Sequence, residues 1–123
     1  MKKKILVIED DKILQKAVKE ALDGAGLEVI IANDGEDGFK KVKSIKPDLV
    51  LLDLILPKMS GEEVLKKICE SKTLKKIPVI VFSVKSDEAN IRNCIDNLGA
   101  RDYLVKSEYS LEDVVKKVKE HLK

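Results

Sequence analysis

Tryptophan is absent from this chain of 123 residues, which holds only two tyrosines and two phenylalanines. Arginine is nearly missing as well, two against 22 lysines. Few rings to stack on bases and few guanidinium forks to read base edges leave nucleic-acid recognition without its usual tools. The net charge of +2 supplies no global field in their place. The clusters Lys40, Lys41, Lys43 and Lys66, Lys67 fall on polar faces of predicted helices and read as solvated surface. The two cysteines form no metal-spaced or redox motif. Cys69 keeps register with Val64, Leu65 and Ile68, and Cys94 with Ile91, Ile95 and Leu98, so both read as small buried hydrophobes. The one histidine, His121, sits near the end of the last predicted helix and reads as a surface residue. No apolar run approaches the roughly 20 residues that span a bilayer. Lys2, Lys3 and Lys4 lead into Ile5 to Ile8, a segment far too short for a signal peptide. The expectation is a soluble, cytoplasmic protein with no membrane and no nucleic-acid partner. Neither GxxxxGK[ST] nor GxGxxG occurs, so no loop is built to cradle a nucleotide.

What is present is an alternation. The length suits one domain, residues 1–123, around one core. The charged fraction of 37% and its lysine–glutamate bias hint at a heat-adapted source. Lys4 to Glu9 is an apolar run read as a strand. Ile13, Leu14, Ala17, Val18, Ala21 and Leu22 repeat at helical spacing, and Gly24 and Gly26 end that helix. Glu28 to Ala32 reads as a second strand, and Asp34 caps a helix carrying Phe39, Val42 and Ile45 inward. The third strand is the stretch DLVLLDLILPKMSG, Asp48 to Gly61, which Pro57 stops. Ser60 with Glu63 forms a capping box for a helix reaching about Ser71. Ile77 to Ser83 reads as strand four, and Asp87 to Leu98 as helix four, ended by Gly99. Asp102 to Val105 reads as strand five, and Ser110 caps a last helix with Leu111, Val114, Val115, Val118 and Leu122 inward.

Five strands alternating with five helices predict an α/β fold, a parallel sheet covered on both faces. Right-handed crossovers and a central first strand lead to a doubly wound five-stranded sheet of order 2-1-3-4-5, the flavodoxin-like (βα)5 sandwich. That order sets the carboxyl ends of strands one and three side by side at the switch point. Glu9 and Asp10 then meet Asp53 in one crevice. Asp53 interrupts an apolar run, and an ionised carboxylate there is costly unless a cation or donors meet it. Three carboxylates about 4 Å apart repel by on the order of 4 kcal/mol per pair at an effective dielectric near 20. Hard oxygen ligands with no soft partner suit Mg²⁺. Ser83 at the end of strand four and Lys106 after strand five fall at the same edge, where a hydroxyl and an ammonium would bind phosphoryl oxygens.

On these pieces the sequence resembles the receiver domain of two-component response regulators. The matching segments are KILVIEDD, DLVLLDLILPKMSG with Asp53, Pro57 and Gly61 as Asp-x-x-x-Pro-x-x-x-Gly, PVIVFS, and GARDYLVKS. The resemblance covers the whole chain. It implies that Asp53 accepts a phosphoryl group from a histidine kinase or histidine phosphotransfer protein. It implies Mg²⁺ as cofactor, with Asp10 and Asp53 as ligands, Glu9 acting through water and Ile55 through its backbone carbonyl. It implies that Ser83 is the switch hydroxyl, that Lys106 binds the phosphoryl oxygens, and that Tyr103 swings inward with the hydroxyl. The face of helix four, strand five and helix five would carry the signal to a protein target, from a monomer or a phosphorylation-dependent dimer. No separate enzymatic turnover is implied.

The chain departs from the family pattern at Ser107, where proline usually follows the lysine, and at Val84, where alanine or glycine is common. Val84 is expected to narrow access to the site, and Ser107 leaves the shape of the next loop open. The triplet Glu9, Asp10, Asp11 is placed with Glu9 and Asp10 as the site pair and Asp11 at the helix start. Ile55 and Lys85 flank the site two residues beyond Asp53 and Ser83. An apolar Ile55 cannot orient an attacking water, so slow self-dephosphorylation is expected. Competing readings are a Mg²⁺-dependent aspartyl-phosphate phosphatase, a degenerate receiver acting only as a protein-interaction module, and a flavin-binding electron carrier. The first expects an aspartate where Ile55 stands, the second expects losses among Glu9, Asp10, Asp53, Ser83 and Lys106, and the third expects a phosphate-cradling loop after strand one.

Overall fold

The computed structural model describes residues 2–123. Five strands, β1 (Lys4–Ile8), β2 (Glu28–Ala32), β3 (Leu49–Leu52), β4 (Val79–Ser83) and β5 (Asp102–Val105), form one parallel sheet of order β2-β1-β3-β4-β5. The helices are α1 (Lys12–Gly24), α2 (Gly35–Ile45), α3 (Gly61–Glu70), α4 (Glu88–Arg92) and α5 (Leu111–His121). The expected flavodoxin-like sandwich is the architecture observed.

The strands are apolar throughout because both faces are covered. Side chains alternate across a strand, so neighbours in sequence enter different cores. Leu6, Ile8, Val50, Leu52, Val79 and Val81 pack beneath α2 and α3, against Val42, Val64, Leu65 and Ile68. Ile5, Val7, Leu49, Leu51, Ile80 and Phe82 pack beneath α1 and α5, against Val18, Leu22, Val114 and Val118. Each fully buried Leu or Ile contributes about 1.5–3 kcal/mol. Among the described residues no helix is long and apolar enough to cross a membrane.

Several local expectations shift. β3 ends at Leu52, so Asp53 is the first residue beyond it. β1 ends at Ile8, and Glu9 is the first residue beyond that. β4 begins at Val79, two residues later than its apolar run suggests. Ile13, read as part of the inward stripe of α1, is 85% exposed, and Gln15 is buried in its place. The residues sit about 200° apart around a helix of 3.6 residues per turn, and the line Gln15, Val18, Leu22 faces the sheet. Helix four is α-helical only over α4 and continues as a π-helical turn, Asn93–Asn97, with Leu98 N–H donating to the Asn93 carbonyl. Ser60 accepts from Glu63 N–H but the return half of the expected box is missing, whereas Ser110 and Asp113 make both halves at α5. Cys94 is buried as expected, while Cys69 is only half-buried. His121 is half-buried too, its Nε2 3.0 Å from Asp102 Oδ2.

Gly61 is fixed by a close approach rather than by its dihedrals. A Cβ there would overlap the Asp53 carbonyl oxygen and Leu54 Cα. Its own N–H donates to the Leu54 carbonyl at 2.9 Å, so the start of α3 lies directly on the backbone that carries Asp53. Gly61→Ala is therefore expected to destabilise the fold by about 1–3 kcal/mol in urea unfolding, the usual range for overpacking. Gly24, at the end of α1, has nothing within 4 Å of an added Cβ. Gly24→Ala is expected to be neutral or stabilising by up to about 1 kcal/mol, and an equal loss in both variants would count against the overlap.

Candidate functional site

The acidic pocket is assembled by two strand ends that continue their ladder by one residue. Asp53 N–H donates to the Ile8 carbonyl at 3.0 Å, and Glu9 N–H donates to the Ala32 carbonyl at 3.1 Å. These bonds hold Glu9 and Asp53 in register although neither lies in a strand. Both are buried, 3% and 6% exposed, and Asp10 is exposed. Carboxylate oxygens of Glu9, Asp10 and Asp53 all lie within 4.8 Å of one another. Asp11 is occupied elsewhere: its side chain accepts from Ile13 N–H at 3.0 Å and Leu14 N–H at 3.2 Å as the N-cap of α1. The triplet therefore divides as expected, two residues to the pocket and one to the helix.

Lys106 supplies the balancing charge. Its Nζ is 2.7 Å from Glu9 Oε1 and 3.4 Å from Asp53 Oδ2, and the side chain is largely buried. The nearer partner is Glu9, which sequence reasoning did not anticipate. Burial pushes the Glu9 carboxyl above its ordinary range; the Lys106 ammonium and Asp11 N–H oppose this, and the charge on Asp53 adds to it. Burial works against the Lys106 ammonium, but the bonds to Glu9 and Asp53 outweigh it and hold its pKa above the usual lysine value. Asp53 Oδ1 lies 3.4 Å from Ile55 N, a long contact that leaves this oxygen weakly held.

The other expected residues line the neighbouring strand ends. Ser83 closes β4, fully buried, and its Oγ accepts weakly from Lys85 N–H at 3.3 Å. Its carbonyl accepts from Lys106 N–H at 2.8 Å, which ties the loop carrying the lysine to β4. Tyr103 on β5 is buried, with its hydroxyl donating to the Lys85 carbonyl at 2.7 Å. Burial pushes its phenol up to about 12, with the Ser83 hydroxyl pulling the other way. Val84 is 59% exposed. Ile55 is 53% exposed. The Lys106–Ser107 peptide is trans and lies at the centre of a tight turn, closed by Glu108 N–H donating to the Val105 carbonyl at 2.9 Å.

Lys85, expected beside the site, and Gln15, which the sequence did not single out, also bear on the pocket. Lys85 reaches from the β4–α4 loop to Glu62 Oε2 on α3, at 3.1 Å. Gln15 points its amide into the turn that carries Glu9, where Nε2 donates to the Glu9 carbonyl and, at 2.7 Å, to Asn33 Oδ1. One faint signal existed for Gln15: it stands in line with Val18 and Leu22 on the buried stripe of α1.

An all-oxygen, all-carboxylate donor set with one exposed member fits a hard divalent cation that keeps several waters. The signature described as "Response regulator receiver domain" matches residues 5–119. The chain is 37% identical over 119 residues to the alkaline phosphatase synthesis transcriptional regulatory protein PhoP of Bacillus subtilis, covering 97% of this chain and 48% of that regulator. It spans about half the length of the curated relatives it matches. Its backbone is similar to a CheY-like response regulator receiver domain protein from Methanospirillum hungatei, with TM-score 0.90, 30% identity, and 99% and 94% of the two chains covered. It is also similar to the Mn²⁺-bound form of response regulator Rcp1, with TM-score 0.82, 35% identity, and 96% and 90% covered. Fold, acidic pocket and sequence relatives converge, and the chain belongs to the response regulator receiver domain family.

Proposed function

We propose that this chain is the phosphoacceptor switch of a two-component phosphorelay, with Asp53 as the accepting carboxylate. The observation that carries the reading is the meeting of Asp53, Glu9 and Asp10 at adjacent strand ends with Lys106 between the first two. A histidine kinase or histidine phosphotransfer protein is the donor. An Asp53 carboxylate oxygen forms a bond to phosphorus as the phosphorus–nitrogen bond to the donor histidine breaks, and the imidazole leaves with the electron pair. Mg²⁺, held by Asp10, Asp53, the Ile55 backbone carbonyl and Glu9 through water, would neutralise charge on the phosphoryl oxygens when bound. That response regulator Rcp1 takes a Mn²⁺-bound form supports a divalent cation as the partner of this fold.

The protein's own groups supply the rest. Lys106, half-shared between two carboxylates, turns its ammonium to a phosphoryl oxygen. The Ser83 hydroxyl gives up only a 3.3 Å bond to follow it. Because Lys85 N–H and the Tyr103 hydroxyl meet at the β4–α4 loop, that movement reaches the face of α4, β5 and α5. A downstream protein binds that face. The chain has no separate substrate to turn over and acts by binding rather than as an enzyme.

Incubation with acetyl phosphate and Mg²⁺, read by intact mass, is expected to add one phosphoryl group to the wild type and none to Asp53→Asn. Unmodified wild type would return the chain to the reading of a pure interaction module. Ile55 leaves a water without an orienting partner, so Ile55→Asn is expected to shorten the lifetime of the phosphorylated form several-fold. An unchanged decay would remove Ile55 from the account.

The electrostatics give a third outcome. Glu9 titrates above its ordinary value of 4.5 in the fold. The folded state thus binds its proton more tightly than the unfolded state, and stability from this group is lost as pH rises above 4.5. Without metal, Glu9→Gln is expected to melt higher than the wild type at pH 7, with the difference closing toward pH 4. Added Mg²⁺ should raise the wild-type Tm more than that of Glu9→Gln. A lower metal-free Tm for Glu9→Gln at pH 7 would show that the Lys106 pairing outweighs burial.

A further inference from the structure

We infer that Gln15 is a positioning residue for the acidic pocket, acting through the Glu9 carbonyl; the inference rests on the Mg²⁺-dependent reading of that pocket. Gln15 is the only uncharged polar side chain on the inner line of α1, and it is 8% exposed. Both hydrogens of its amide are committed. One goes to the carbonyl of Glu9 and the other to Asn33 Oδ1, which also accepts from Lys12 Nζ at 2.6 Å. One side chain thus joins α1, the end of β1 and the turn after β2.

The peptide it holds is the one that links Glu9 to Asp10. Rotation of that peptide would swing the two carboxylates relative to each other. The backbone around it is otherwise pinned on the Glu9 side, by Glu9 N–H on the Ala32 carbonyl, and on the Asp11 side, by Asp11 N–H on Glu9 Oε2 at 3.1 Å. Gln15 supplies the constraint between those two. A buried amide in this place costs desolvation that an apolar residue would avoid, and Leu14 and Val18 on the same helix show that apolar residues are available there. What the amide supplies in return is two hydrogen bonds that fix the Glu9–Asp10 peptide. Outer partners of metal-binding groups act in this way, and their loss typically weakens metal binding about 10–100-fold.

The test separates position from stability. Gln15→Met keeps the length of the side chain and removes both donors, and Gln15→Glu keeps the shape while presenting an acceptor to a carbonyl. Mg²⁺ affinity is measured by calorimetric titration well below the Tm of each variant, with metal-free Tm recorded separately. Both variants are expected to bind Mg²⁺ about 10-fold more weakly or worse, and the Asp10 amide resonance is expected to move in both. A lower Tm with unchanged Mg²⁺ affinity would make Gln15 a packing residue and overturn the inference. If neither variant folds, the wild type decides: the Gln15 side-chain amide protons should shift during Mg²⁺ titration with the same midpoint as the Asp10 amide, and silent Gln15 protons would overturn it. A wild type that binds no Mg²⁺ removes the reading of the pocket and this inference together, whereas normal wild-type binding with indifferent variants removes the inference alone.

Discussion

The ion pair between Lys106 and Glu9 is what makes the pocket possible. Two buried carboxylates and a third at the rim would otherwise repel by several kcal/mol in total. Lys106 arrives from the far end of the sheet, 97 residues along the chain, and places its ammonium 2.7 Å from Glu9 and 3.4 Å from Asp53. The balance is incomplete, because one ammonium faces three carboxylates. Such a pocket is suited to a divalent cation, and in the proposed switch the shared ammonium would move to a third anion.

That arrangement is anchored by backbone rather than by side chains. The ladder bonds from Asp53 to Ile8 and from Glu9 to Ala32 extend the parallel sheet one residue past its regular strands. Gly61 lets α3 close onto the Asp53 backbone, and Asp11 starts α1 just after the acidic pair. The carboxylates therefore sit on backbone held by ladder bonds, while the groups proposed to respond, Ser83, Lys85 and Tyr103, sit at the end of β4, on the β4–α4 loop and on β5. The π-helical turn Asn93–Asn97 and the lack of any buried residue in α4 place the least regular helix on the proposed signalling side.

Much of this was legible beforehand. Unbroken apolar runs at Ile5–Ile8 and Leu49–Leu52 indicate strands buried on both faces, and their alternation with amphipathic helices leaves few topologies. Asp53 is conspicuous because charge is expensive where its neighbours are apolar. The inward stripe of α1 was only partly legible, since Ile13 and Gln15 exchange the places their chemistry suggests. Periodicity finds the face of a helix but does not see the carbonyl that a buried amide has come to meet. The end of β3 was also misplaced, because Leu54 is buried without being in the strand.

The sequence by itself determined the fold class, the order of elements and the set of acidic, hydroxyl and ammonium groups gathered at one edge. Those follow from local periodicity and from the handedness of crossovers, which short segments carry within themselves. The partners within that set were decided only in three dimensions: Lys106 with Glu9 more closely than with Asp53, Lys85 with Glu62, and Gln15 with the Glu9 carbonyl. Such choices turn on differences of an ångström between groups far apart in the chain, and the strength of charge and hydrogen-bond interactions changes over just that distance.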